Sequence, residues 1–183
     1  MSELSKSNSG APPGRSGIVR PPPGVRDVFS VVLEAVTAGI SGAKLAARPL
    51  LEAISEVVLK TVRESAEMGG DRVPGIKAIL MGVLQSAGEK GEAGLKILSH
   101  TARIVIRHTA ELEGDLGAAI KGLVLGAIAS ARSLEIDSAQ AASRAAQGAL
   151  EGAAEAGSGT VDRVMEALKQ PMGGIKVAFT KPS

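Results

Sequence analysis

The chain holds two histidines, His100 and His108, and no cysteine among its 183 residues. Without cysteine it can build no disulfide, no thiolate metal site and no thiol nucleophile. Eight residues on one helical stretch place the two imidazoles on roughly one side, about two turns apart, too far to share a metal directly. Ser and Thr are plentiful, while Asp and Glu are scattered over helix caps and polar faces. None of the HExxH, GxSxG, P-loop or dinucleotide patterns occurs. The run Gly88-Glu-Lys-Gly91-Glu-Ala-Gly94 has the glycine content of a phosphate loop. It lacks the preceding strand and the ordered Gly-Lys-Ser/Thr, and it falls where two helices must be joined. The sequence therefore predicts no catalytic residue, no metal and no cofactor.

Two surface patterns remain. Lys96, His100, Arg103 and Arg107 recur at i, i+4, i+7 and i+11, a basic stripe along one predicted helix. Such a stripe reads either as a solvated face or as a contact for anionic lipid or an acidic partner. Nucleic acid fits poorly, because the neighbouring segments are not basic and the chain has no Trp or Tyr and two Phe for base stacking. The second pattern is small residues at helical spacing. Gly122 and Gly126 form one GxxxG and Gly148 and Gly152 another, the latter inside the Ala/Gly-dominated stretch 141–156. Glycine inside a helix costs roughly 0.5–1 kcal/mol relative to alanine, so its use there predicts close approach of helix backbones. That approach can be made inside the chain, to a second copy, or to an apolar phase.

The elements that must position these residues repeat. Ile76–Ala87 aligns without gaps on Ile120–Ala131, an offset of 44, and the pair Ala-Glu recurs at 66–67, 110–111 and 154–155. An earlier segment, Leu33–Ile40, matches 76–83 with a one-residue slip, which gives Gly39, Gly82 and Gly126 the same place in each copy. Ile76, Ile79, Leu80, Val83, Leu84 and Ala87 fall on one 3.6-residue stripe, as do Ile120, Leu123, Val124, Ala127, Ile128 and Ala131. Met81 and Leu125 lie off it, which predicts contacts on more than one side. Connectors are expected at 47–49, 88–93 and 132–137, with Pro49 in a first helical turn and Asp137 capping a helix that begins after it. The reading is all-α: three tandem hairpins of about 44 residues, a length usual for two-helix repeats, over 28–71, 72–115 and 116–159, then a truncated copy at 160–170. A strand is conceivable only near 174–180.

Charge and composition divide the chain once more. Lys6, Arg15, Arg20 and Arg26 stand against Glu3 alone in residues 1–26, so the formal net charge of +2 comes from a short arm. Residues 1–27, rich in Ser, Pro and Gly, read as disordered, with Pro21–Pro23 a stiff spacer or a PxxP-like ligand. Met1–Gly17 has no apolar core of a signal peptide, and no apolar run reaches the roughly 20 residues of a membrane span. The expected location is cytoplasmic. The tail 171–183 carries Met172, Ile175, Val177 and Phe179 after Pro171, an imperfect cap that predicts a further contact at this end.

The strings 118–128 (Ala-Ala-Ile-Lys-Gly-Leu-Val-Leu-Gly-Ala-Ile) and 145–157 (Ala-Ala-Gln-Gly-Ala-Leu-Glu-Gly-Ala-Ala-Glu-Ala-Gly) resemble a class of uncharacterised bacterial Ala/Gly-rich helical-hairpin repeat proteins. The resemblance spans roughly 30–170 and implies a fold, not an activity. A looser likeness is to phasins, which coat polyester storage granules with amphipathic helices. It rests on helicity and the missing Cys, and the 23 Gly depart from it. The functional expectation is a non-enzymatic scaffold, a homo-oligomer or a binder of a protein partner through Ala/Gly helix faces. The alternative is peripheral attachment to a membrane or storage granule. With so few aromatic anchors, a partner surface should be extended and helix-on-helix.

Overall fold

The computed structural model describes residues 28–45, 49–68 and 71–180. The Pro-rich arm and the expectations attached to it lie outside the described residues. The described chain is all-α, with helices α1 (Val28–Leu45), α2 (Leu50–Met68), α3 (Val73–Ala87), α4 (Gly91–Glu111), α5 (Leu116–Ser130), α6 (Ser138–Ala156) and α7 (Ser158–Leu168). None of these helices is long and apolar enough to cross a membrane.

Local chemistry sets the helix boundaries. Asp115 caps α5 by accepting from the Ala118 N–H at 3.0 Å. Asp137 caps α6 through the N–H groups of Ala139 and Gln140, at 2.8 and 3.2 Å. These bonds satisfy donors that a helix start otherwise leaves unpaired. At α3 the carboxylate of Asp71 accepts from the Val73 N–H at 3.0 Å. Gly88 ends the same helix at φ 70°, a left-handed turn that glycine adopts without a Cβ clash. Pro49 sits immediately before α2, its carbonyl accepting from the Ala53 N–H at 3.1 Å, one residue earlier than a first-turn position. The connector expected over 88–93 is shorter, because α4 begins at Gly91 and carries Gly94 inside it.

Packing arranges the helices in two rows. In one row α1 lies on α3, α3 on α5 and α5 on α7; in the other α2 lies on α4 and α4 on α6. The rows meet within each hairpin and also through α2–α3 and α4–α5. α4 is thus enclosed by α2, α3, α5 and α6, and its Leu95, Leu98, Ile104, Val105 and Ile106 are buried. Both expected apolar stripes point inward: every member on α3 is buried, and on the second only Ile128 is partly exposed. Adjacent hairpin turns are joined as well. The Gly91 N–H donates to the Leu134 carbonyl at 2.9 Å, and Lys90 pairs with Glu135 across the same gap.

The C-terminal tail differs from expectation. No strand forms at 174–180: its one backbone pairing is Ile175 with Met172, the sole bridge among the described residues. Met172 is buried, and Ile175, Val177 and Phe179 pack partly buried against the core, while Lys176, Ala178 and Thr180 face out. The apolar residues expected to seek a further contact thus find it on the chain itself.

Candidate functional site

The glycines lie where helices touch. A Cβ placed on Gly148 would overlap the Ser99 carbonyl oxygen, and one on Gly152 the Arg103 carbonyl oxygen, with other α4 backbone atoms at 2.9–3.0 Å. The α4–α6 crossing is therefore backbone against backbone, and it is the most extensive helix contact in the fold. A Cβ on Gly122 would stand 2.7 Å from Ile76 Cβ, and on Gly126 3.2 Å from the Lys77 carbonyl oxygen, both on α3. Gly82 approaches Val36 and Leu33 of α1. Gly39 departs from the equivalence the alignment implies: it faces Val57 of α2, its own hairpin partner. All six glycines thus pack inside the chain, and these faces are not open to a partner. Of the three forms of close approach that the spacing allows, the described residues show the one made inside the chain. Gly94, absent from the sequence-based set, belongs with them, since a Cβ there would stand 2.8 Å from Leu134 Cδ2 in the next hairpin's turn. In the sequence it closes the Gly88–Gly94 run, where three glycines in seven residues have the pattern of a turn rather than of a helix face.

The basic stripe is corrected in a similar way. Lys96 is exposed, but Arg103 and Arg107 both pair with Glu155 of α6, the latter at 3.3 Å. Arg107 also approaches Glu111 at 3.8 Å. The Glu155 carboxyl is held below its ordinary value of 4.5. Burial pushes the other way, and the hydrogen bonds and charges of the two guanidinium groups outweigh it. His100 turns toward α2, where its Nε2 lies 3.3 Å from Ser55 Oγ. The stripe is a mixed-charge seam between α4 and α6 rather than a free cationic face. Replacing Glu155 with Gln should release it. Partly exposed ion pairs contribute about 0–1 kcal/mol each, so stability should fall little, while retention on anionic vesicles at low salt should rise. Unchanged retention would remove the stripe as a lipid contact.

Burial is the main reason that the His100 imidazole titrates below its ordinary value of 6.5; the charges of Arg103 and Arg107 add to it, and the Leu51 carbonyl and Glu155 oppose it. The folded chain thus holds this proton less readily than the unfolded chain. The stability this contributes is complete above pH 6.5 and declines as pH falls through the folded value. Urea midpoints for wild type should drop between pH 7.5 and pH 5.5 by more than those for His100→Gln. Equal slopes would contradict the assignment.

The arrangement offers acid–base chemistry little. Ser55 Oγ donates to the Leu51 carbonyl at 2.8 Å, so its proton points away from His100. His108 is buried with Nδ1 2.6 Å from Glu111 Oε2, an imidazole oriented by a carboxylate. Its other nitrogen faces Arg107 at 3.4 Å, where a dyad would need a hydroxyl. The buried hydroxyls of Thr61, Thr101 and Thr109 each donate to the carbonyl four residues back. No cluster of three or more His, Asp or Glu able to hold a metal occurs among the described residues. A cavity of about 350 Å³ lies beside the α3–α4 turn, lined by Met81, Gln85, Lys90 and Ser133 among others.

The fold and these surfaces define a class, an all-α stack of helices in two rows joined through glycine and alanine. Comparison with known protein families, with curated proteins and with solved structures finds no match to the chain.

Proposed function

We propose that the protein is a non-enzymatic structural module that packs, helix against helix, on a second copy of itself or on a helical partner. The observation that carries this reading is at the first hairpin. On α1, Ala35, Ala38 and Gly42 are exposed at i, i+3 and i+7, and nothing lies within 4 Å of a Cβ built on Gly42. The repeat offset matches Ala35 with Ala78 and Gly122, both buried, and Gly122 packs against the preceding helix of its row. At Ala35, α1 thus presents outward a position that the later helices of the row use inward. Engagement of the histidines and buried hydroxyls in structural hydrogen bonds agrees with a non-enzymatic role. Size-exclusion chromatography with light scattering tests the self-association form of the reading. Association at tens of micromolar, lost in Ala38→Arg with helicity intact, is expected. A strictly monomeric wild type that captures no helical partner would refute the reading.

A further inference from the structure

The tail 171–180 follows α7 and lies over α5 and α6. α7 stops at Leu168, and the chain then crosses α5, where Gly173 sits against Leu125 and Ile128. It ends beside α6, with Ala178, Phe179 and Thr180 facing Ser143 and Gln147 across a cavity of about 330 Å³. Three features set this segment apart from the rest of the fold. It turns on two successive left-handed glycines, Gly173 at φ 58° and Gly174 at φ 76°. Beyond Ile175 its backbone makes no backbone–backbone hydrogen bond with any described residue. Before the turn Met172 is buried in the core; beyond it the grip comes from alternate side chains, Ile175, Val177 and Phe179, each only partly buried.

We propose that residues 175–180, beyond the turn at Gly173–Gly174, form an exchangeable strap, and that the same segment of a second copy takes its place on α6 to give a dimer. The occupant is fixed by what already fills the groove: a tail from another copy restores the same side-chain contacts, and what changes is the turn at Gly173–Gly174 with the two Met172–Ile175 backbone hydrogen bonds that close it. Exchange of an identical element is a low-cost route to dimers, limited by the hinge. A short flexible tether supplies its own tail at an effective concentration of about millimolar, so the closed form prevails in dilute solution. Substitution at the hinge shifts that balance. A side chain at a left-handed position disfavours the turn by roughly tenfold per residue, so Gly173→Val with Gly174→Val favours opening by about a hundredfold per tail. The contact lies apart from α1, at the other end of the row, and goes beyond the function proposed above; either can fail alone.

The chain's lack of cysteine makes the test direct. Two singly substituted chains, Ser143→Cys and Ala178→Cys, are mixed and treated with a short bis-maleimide. A crosslinked dimer in the mixture, well above that of either chain alone, places one copy's tail on the other's α6. Its yield should rise with concentration toward millimolar, and should rise about a hundredfold more readily in the Gly173→Val, Gly174→Val background. If that background loses helicity, the native hinge at several hundred micromolar decides. No excess crosslink in the mixture overturns the proposal, even where the chain self-associates through α1. Crosslinked dimer in an Ala38→Arg background supports it.

Discussion

Alanine at both Gly148 and Gly152 should destabilise the protein by about 3 kcal/mol, although alanine is the better helix former. Each substitution removes the helix penalty of glycine, a gain of about 1 kcal/mol. Against that, each new Cβ meets backbone atoms of α4, not the end of a flexible side chain. α4 cannot withdraw, because α2, α3 and α5 hold its other sides. Overpacking of this kind typically costs 1–3 kcal/mol per site, and here contact with carbonyl oxygens puts each site at or beyond the upper end. The two effects should fall short of adding, since a shift of α6 that admits one methyl makes room for the other. Gly42→Ala is the contrasting case. It lies inside α1 with nothing within 4 Å of its Cβ, so it should stabilise by about 0.5–1 kcal/mol. Urea midpoints moving in opposite directions for the two sets are the expected result; equal or improved stability for the α6 pair would contradict the close crossing.

Leu98→Ala should cost about 2–5 kcal/mol, the range for a fully buried leucine. Leu98 has 0% exposure on the helix that touches four others, so the surroundings cannot collapse onto the void from any side. The same truncation at Leu51, 47% exposed on α2, removes little burial and should stay within about 0.5 kcal/mol. For a domain of ordinary stability, about 5–15 kcal/mol in total, the first change takes a large share and the second almost none. Thermal melts of the two variants at one pH separate them. Similar midpoints would mean that α4 is not the enclosed element of the stack.

The residues that decide these outcomes were unequally legible in the sequence. Period and caps are local, so the apolar stripes of α3 and α5, the start of α6 at Asp137 and the all-α class follow from a few neighbouring residues. Glycine spacing likewise announces close helix approach. Which helix is approached is a long-range fact: the carbonyls of Ser99 and Arg103 lie some 49 residues before their glycines, and no local pattern marks them. The basic stripe misleads for the same reason, since Glu155 reaches Arg107 from 48 residues away. Alternation in 175–179 is visible in sequence and suggests a strand. The pattern arises instead because one side of an extended segment is pressed on helices, a cause that period alone does not distinguish from pairing.

The links between hairpins also govern how the stack comes apart. Arrays of repeats joined only by nearest-neighbour packing lose their ends one unit at a time. Here the second and third hairpins share a backbone-to-backbone crossing, a turn-to-turn hydrogen bond from Gly91 to Leu134 and an ion pair at Lys90–Glu135. They are welded into one block. The first hairpin rests on that block by side chains, through Val36 and Leu33 over Gly82 and Ser55 beside His100. The first hairpin thus meets the rest of the stack through side chains, where the second and third meet backbone to backbone, and it carries the exposed face of α1.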